Sequence, residues 1–167
     1  MTRSIVRTQG VAACAALLLM LAGCGQPDGT MPTPQGEQPG RIDDISRDLQ
    51  NVAGKNPDAP AELFDDLTNL DPAPRPANRV KELSQALSDA LADKPLPDAE
   101  AKRLAEVLFT AIAVRDLSES QIEQVGTNLR EALVTIGAQA EVAERAKTAA
   151  VALASEVTQN KKRWYHR

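Results

Sequence analysis

The sequence predicts an all-α protein on the strength of three observations. Aromatic residues make up 2% of the 167 residues, whereas β-sheets depend on aromatic and β-branched side chains. No segment alternates apolar and polar residues with the period of two that marks a half-buried strand. Apolar residues instead recur at spacings of three and four, the repeat of one helix face. The length allows one ordinary domain, or a small domain with tails.

Residues 1–23 have the organisation of a signal peptide. Arg3 and Arg7 provide a positively charged start, and residues 11–22 form a run of 12 apolar residues. A membrane-spanning helix needs about 20 such residues. The run therefore has the length of a signal-peptide core instead.

The apolar run ends in the four residues Leu21-Ala22-Gly23-Cys24. Here the chain resembles bacterial lipoproteins, whose signal peptides end in a lipobox of this type. The resemblance implies cleavage before Cys24, with diacylglycerol on its thiol and an N-acyl lipid such as palmitate on its amino group. No other cofactor is expected. Cys14 leaves with the signal peptide, so we expect no disulfide and no Cys-based metal site. Two or three acyl chains hold durably, which predicts a protein anchored to the membrane and not spanning it.

Residues 24–40 are predicted to form the lipidated cysteine and a disordered tether. Residues 25–40 contain four Pro and four Gly among 16 residues, a composition that cannot bury a core. A flexible chain of this length spans about 20–25 Å. Gly25 follows the lipobox cysteine, whereas Asp there would resemble a signal for retention in the inner membrane of Gram-negative bacteria. In a host with two membranes, the expected location is therefore the outer membrane, facing the periplasm.

Residues 41–75 are predicted to form one or two short helices between Pro-rich linkers. One apolar stripe predicts a helix that ends near Gly54. Pro60 opens a second helix of one or two turns. The pattern leaves open whether the 42–52 helix docks on the rest of the protein or stays on the tether. The stripe consists of Ile42, Ile45, Leu49 and Val52.

Residues 76–163 are predicted to form a small antiparallel bundle of three helices joined by short turns. Pro97 opens the most apolar helix, which has Leu108 near its middle and ends near Arg115. The last helix is rich in Ala, so we expect it to approach its neighbours closely. The other stripes are Val80, Leu83, Leu87 and Leu91, then Ile122, Val125, Leu129, Ala132 or Leu133, and Ile136, then Val142, Ala146, Ala149, Leu153 and Val157.

Local signals mark the helix ends within this bundle. Ser118 and Gln121 have the spacing of a capping box, in which a side-chain oxygen accepts from the third amide. Gly137 fits either a helix C-cap or an interruption. Glu141 and Arg145 lie four residues apart, and we expect them to pair along the last helix.

The composition argues against several kinds of chemistry. The single histidine is His166, which excludes His-rich metal sites and makes Ser-His or Cys-His catalysis improbable. No spacing fits an EF-hand, a phosphate-binding glycine loop or a nucleophile elbow. We therefore expect no metal and no enzymatic activity, and the formal charge of −4 argues against nucleic-acid binding. The carboxylates are assigned to solvated helix faces: Asp43, Asp44, Asp65, Asp66, Asp98, Glu100, Glu119 and Glu123.

The C-terminal residues combine cations with aromatic side chains on an otherwise acidic chain. Residues 161–167 contain four cations, and residues 164–167 form the tail that follows the bundle. One interpretation is a helix end whose cations interact with the helix dipole. A second is a contact with the membrane interface, and a third is a docking tail for an anionic partner. The candidate contact residues are Lys161, Lys162, Arg163, Trp164, Tyr165 and Arg167.

Together, these observations predict a lipid-anchored bacterial envelope protein with a structural or protein-interaction role. The alternative is a periplasm-facing binding protein for an apolar or lipid-like ligand within the helical bundle. The expected partners are the membrane, through the lipid, and an envelope protein or wall polymer. No pattern in the sequence specifies the partner or the oligomeric state.

Overall fold

The computed structural model describes residues 38–70 and 76–164, with the backbone alone for residues 38 and 161–164. These residues form α-helices and connections and contain no strand, which confirms the predicted all-α class. The predicted signal peptide, Cys24 and the tether up to residue 37 lie outside the described residues. The helices are α1 (Gln38–Ala53), α2 (Ala59–Asn69), α3 (Ala77–Leu91), α4 (Asp98–Ala113), α5 (Glu119–Thr135) and α6 (Ala140–Trp164).

The predicted count of three helices in the bundle was wrong. Residues 76–164 hold four helices, and α1 and α2 belong to the same core. The apolar stripe of α1 is covered, since Ile45 and Leu49 have no exposed surface. Pro60 lies in the first turn of α2, where proline starts a helix without breaking it. Helix α1 begins at residue 38, so its first three residues lie in the segment predicted as tether.

Buried side chains from all six helices form one contiguous hydrophobic cluster. Leu108, the residue predicted to lie at the centre of the most apolar helix, is fully buried. The contribution of α6 consists largely of alanines, as its sequence predicts. The largest fully buried side chains are Ile45, Leu49, Leu63, Leu67, Leu83, Leu87, Leu91, Leu104, Leu108, Ile112, Leu129 and Leu133.

Helices α5 and α6 approach each other closely at Gly126. A Cβ atom added there would lie 2.5 Å from Cγ2 of Val151 and 3.0 Å from Cγ of Lys147. A larger residue fits this crossing only if the side chains of Val151 and Lys147 shift. This crossing depends on a glycine of α5, whereas the sequence predicted a close approach from the alanines of α6.

The ends of α5 follow the predicted local signals. The Ser118 hydroxyl accepts from the backbone N–H of Gln121 at 3.3 Å, and the Gln121 Oε1 accepts from the Ser118 N–H at 2.9 Å. This reciprocal pair is the predicted capping box. At the other end, Gly137 has a φ of +89° and donates to the carbonyl of Val134 at 3.0 Å. Gly137 therefore ends α5 in a Schellman motif, which settles the predicted alternatives in favour of a cap.

Contacts at helix ends establish the directions of α1, α2 and α3. Lys55, which follows α1, forms an ion pair with Asp93, which follows α3. The two helices therefore end on the same side and run parallel. Arg41 in the first turn of α1 donates to the carbonyl of Asn69, the last residue of α2. Helices α1 and α2 are therefore antiparallel.

Two ion pairs connect α3 to α6. The Arg79 Nε near the start of α3 lies 3.5 Å from Glu156 Oε2 late in α6, and the Arg145 Nη1 early in α6 lies 3.5 Å from Asp89 Oδ2 late in α3. Helices α3 and α6 are therefore antiparallel. Arg145 reaches across to α3 in place of the expected pair with Glu141 on its own helix.

The remaining directions follow from one contact each. Gln50 in the last turn of α1 donates to Asp98, the first residue of α4, at 2.6 Å. Arg130 near the end of α5 lies 2.8 Å from Glu144 near the start of α6. Helix α4 is therefore antiparallel to α1, and α5 is antiparallel to α6.

These directions place both ends of the domain on one side. The starts of α1 and α3 and the end of α6 lie together with the α4–α5 connection, and we call this side the basal pole. The opposite side, the apical pole, holds the α1–α2, α3–α4 and α5–α6 connections. By residue, the basal pole comprises 38–41, 67–70, 76–79, 113–119 and 161–164, and the apical pole comprises 53–62, 91–100 and 133–141.

Candidate functional site

A buried carboxyl group lies between α1 and α2. Asp48 is 5% exposed, and its side chain is hydrogen-bonded to that of Asp66. Two carboxyl groups share a hydrogen bond only when one of them carries a proton. Burial, the Asp66 hydrogen bond, and the charges of Asp66 and Glu62 raise the pKa of Asp48 to about 6, against the opposing charge of Arg47. Asp48 is therefore protonated at pH 5 and ionised at pH 8.

The groove beside this carboxyl pair is acidic. It has a volume of about 480 Å³. No Ser, Thr, Cys, Lys or His side chain is among the residues lining it. Within the part of the chain that the structure describes, no three His, Cys, Asp or Glu side chains are placed to hold a metal ion. What the arrangement can do chemically is bind and release a proton. The other lining residues are Arg47, Asn51, Asn56, Glu62 and Asp65.

Sequence reasoning missed Asp48 and assigned Asp66 to a solvated face. The structure corrects the assignment of Asp66, which is half-buried and bonded to Asp48. The sequence did contain a signal for Asp48. It lies three residues after Ile45 and four before Val52, both of which belong to the apolar stripe, so its side chain shares the buried face of α1.

A second feature is an open groove between α3 and α6, with a volume of about 830 Å³. One rim carries Arg79, which pairs with Glu82 at 3.0 Å and with Glu156 at 3.5 Å. The hydrogen bond and charge of Glu82, and then those of Glu156, raise the pKa of Arg79, so the guanidinium stays charged. The groove therefore has charged walls around an apolar floor. The floor consists of Ala86, Ala149 and Ala152.

The two poles carry opposite charge. In the described part of the chain, the basal pole has six cations and two acids, and the apical pole has two cations and six acids. Their formal charges are therefore +4 and −4. The basal cations are Arg41, Arg79, Arg115, Lys161, Lys162 and Arg163, and the apical acids are Asp58, Glu62, Asp93, Asp98, Glu100 and Glu141.

The candidate contact residues are only partly described. Lys161, Lys162, Arg163 and Trp164 form the last turn of α6, where the backbone alone is described. This turn lies at the basal pole, on the same side as the start of α1. Tyr165 and Arg167 lie outside the described residues, as does Cys24. Among the helices described, none is long and apolar enough to cross a membrane.

Comparison with known proteins identifies no relative. No protein-family model matches the chain, and no curated protein or solved structure matches it significantly.

Proposed function

We propose that the protein is a lipid-anchored component of the bacterial envelope, with a structural or protein-interaction role for its helical domain. The observation that carries the proposal is the Leu21-Ala22-Gly23-Cys24 sequence behind a cationic start and 12 apolar residues. Diacylglycerol and an N-acyl lipid on Cys24 would hold the chain durably on a membrane. The expected partners are an envelope protein or a wall polymer.

The surface of the domain indicates how such a partner would be recognised. Of the large hydrophobic side chains in the described residues, Val134 alone is exposed, at 42%. Charged side chains surround the α3–α6 groove. Recognition would therefore depend on complementary charge and hydrogen bonds more than on an apolar patch.

The anchor is tested by replacing the cysteine that would be lipidated. Cys24→Ala removes the thiol that would form the thioether, so the variant should keep its signal peptide and leave the detergent phase. Cys14→Ala is the matched control, because it removes the chain's other cysteine and should be processed normally. Intact mass and detergent-phase partitioning provide the readout. Normal processing of Cys24→Ala would refute the anchor.

The proposed location in the outer membrane is tested by fractionation. In a host with two membranes, the wild-type protein should reach the outer membrane, because Gly25 and not Asp follows the lipobox cysteine. A Gly25→Asp variant should move to the inner membrane. Recovery of the wild type in the inner membrane would contradict the proposed location.

The interaction role is tested by crosslinking in intact cells. A photo-crosslinking residue at Gln85, on the wall of the α3–α6 groove, should retrieve a defined envelope component identified by mass spectrometry. The same residue at Glu131, on the exposed face of α5, is the control. Identical products from both positions, or none from either, would argue against this groove as the contact.

The alternative is a binding protein for an apolar or lipid-like ligand, and the α3–α6 groove favours it. Its volume of about 830 Å³ lies within the range of small-molecule sites, and its alanine floor is apolar. A ligand that binds only the folded state must raise the melting temperature. Ala149→Trp would fill the groove and should abolish that shift, whereas Val134→Trp adds the same bulk elsewhere. If no lipid raises the melting temperature, this alternative fails.

A further inference from the structure

We propose that the basal pole of the domain is held against an anionic lipid bilayer, with the apical pole facing away from the membrane. The proposal rests on the lipid anchor proposed above, and it adds a second contact that fixes the orientation of the domain. Two observations carry it: the directions of the helices and the opposite charges of the two poles.

The chain ends are at the right side of the domain for this contact. The Lys55–Asp93 ion pair makes α1 parallel to α3, and the Arg79–Glu156 pair makes α3 antiparallel to α6. The chain therefore enters and leaves the domain at the basal pole. Between Cys24 and the start of α1 lie 14 residue steps, which reach at most about 50 Å.

The anchor alone does not decide which pole faces the lipid. Helix α4 has 16 residues and is about 24 Å long. The domain is thus shorter than the longest reach of the connecting chain. A further interaction has to orient it.

The charges supply that interaction. One orientation would bring the basal pole, with a formal charge of +4 on its described residues, towards anionic headgroups, and the inverted orientation would bring the apical pole, with −4, towards them. The Debye length is about 8 Å at physiological salt, so the far pole lies outside the surface potential in either orientation. A cation near such a surface increases binding about fivefold, so the orientation with the basal pole towards the lipid is favoured.

Helix α6 brings the densest part of this charge closest to the lipid. Glu156 lies opposite Arg79 near the start of α3, and α6 continues for eight more residues to Trp164. Those residues add about 12 Å along the helix axis. The three cations 161–163 and Trp164 occupy that last part of α6, and tryptophan favours the level of the headgroups.

The experiment measures the distance of each pole from the bilayer in the full protein as the cell produces it. A single cysteine for a fluorescent donor is placed at Asn78 on the basal pole or at Gln139 on the apical pole, both exposed. Each protein is reconstituted into vesicles of phosphatidylglycerol and phosphatidylcholine that contain an acceptor-labelled lipid. At low salt, energy transfer should be strong from position 78 and weak from position 139, which we expect to lie about 25 Å farther from the lipid. In vesicles of phosphatidylcholine alone, or in 1 M salt, the two efficiencies should converge.

A matched pair of variants assigns the effect to the basal charges. Lys161→Gln, Lys162→Gln and Arg163→Gln together should reduce the preference for the basal orientation by roughly a hundredfold, at about fivefold per cation. As the control, Lys94→Gln, Lys102→Gln and Arg103→Gln together remove the same number of charges at positions outside the basal pole. This variant should keep the difference in energy transfer between positions 78 and 139.

The possible outcomes separate the two proposals. If the protein does not co-sediment with vesicles of either composition, the lipid anchor is refuted. If it co-sediments but both positions give equal transfer on anionic vesicles, or position 139 gives more, the anchor stands and the orientation is refuted.

Discussion

The contact between α1 and α2 and the contact between α5 and α6 are both antiparallel helix pairs, but they are built from different chemistry. The first encloses the Asp48 carboxyl and its hydrogen bond to Asp66. The second brings Gly126 against Val151 and keeps its ion pair, Arg130 with Glu144, on the partly exposed edge. The first contact contains a group whose charge changes near pH 6, whereas the second depends on how closely Gly126 fits against Val151. We call the first the pH-sensitive contact and the second the shape-dependent contact.

The largest effect is expected from a residue that supports both contacts. Leu108 is fully buried in α4, and α4 packs against α1, α5 and α6. Leu108→Ala should lower the free energy of unfolding by about 2–5 kcal/mol at any pH, because it leaves a cavity in the shared core. Urea unfolding measures this loss. The control is Val134→Ala at an exposed position, whose free energy of unfolding should stay within about 0.5 kcal/mol of wild type. A Leu108→Ala protein that melts within a few degrees of wild type would mean that α4 is not central.

The pH-sensitive contact gives the next effect. A carboxyl whose folded pKa is raised binds its proton more tightly in the folded state, so its contribution to stability is complete below pH 4 and is lost as the pH rises through about 6. We expect Asp48 to lower the free energy of unfolding by about 2–3 kcal/mol over that interval. The other charged groups facing it are Arg47 on α1 and Glu62, Asp65 and Asp66 on α2.

Asp48→Asn tests this contribution, because the amide keeps the shape without the titration. Urea unfolding from pH 4 to pH 8 should give a flatter dependence for Asp48→Asn than for wild type, and higher stability at pH 8. Asp43→Asn, on the exposed side of the same helix, should keep the wild-type slope. An unchanged slope in Asp48→Asn would show that the buried carboxyl does not carry the pH dependence.

The shape-dependent contact predicts a smaller effect. Gly126→Ala places a Cβ 2.5 Å from Val151 Cγ2, and the forced shift should cost about 1–3 kcal/mol. The gain of about 1 kcal/mol from alanine in a helix offsets part of it. Gly40→Ala in α1 meets no atom within 4 Å and should not destabilise the protein.

A double substitution sharpens this test. Val151→Ala removes the methyl that the new Cβ would strike. The pair Gly126→Ala and Val151→Ala should therefore be more stable than the sum of the single effects. Additive effects in thermal or urea unfolding would mean that the crossing is looser than described.

The smallest effect concerns the start of α5, one of the two helices of the shape-dependent contact. Ser118→Ala removes one half of the capping box and should cost about 1 kcal/mol at both pH 5 and pH 8. Ser120→Ala, two residues further along and outside the reciprocal pair, removes only the contact between the Ser120 and Ser118 hydroxyls at 3.0 Å and should cost less. If the loss of stability in Ser118→Ala differed between pH 5 and pH 8, the pH dependence would not be confined to the contact between α1 and α2.

Local features of the fold were predictable, and distant ones were not. The box of Ser118 and Gln121 and the glycine cap at Gly137 depend on residues within a few positions of each other. The apolar stripe of α1 predicted a buried face but not what covers it. The residues that cover that face come from α2 and α4. The sequence pattern therefore did not predict whether α1 docks, and it gave too few helices for the bundle.

The same limit applies to the candidate sites. Asp48 could be placed on the apolar face of α1, but its raised pKa requires Asp66 from another helix. The charges of the poles are all in the sequence, but their separation appears only once helix directions are known. Those directions depend on contacts such as Arg79 with Glu156, which lie 77 residues apart.

The position of α1 has a mechanical consequence. A force applied to the N-terminal chain from the basal side would act on the first residue of α1 and along the axis of that helix. Its neighbours α2 and α4 lie antiparallel along its length, joined by Arg41–Asn69 at one end and Gln50–Asp98 at the other. The force would therefore load the whole contact of α1 with α2 and α4 in shear. The contact would not separate one helical turn after another. Under tension, the lifetime of the folded domain would be set by its unfolding rate, and the buried surface of α1 would be the element that resists.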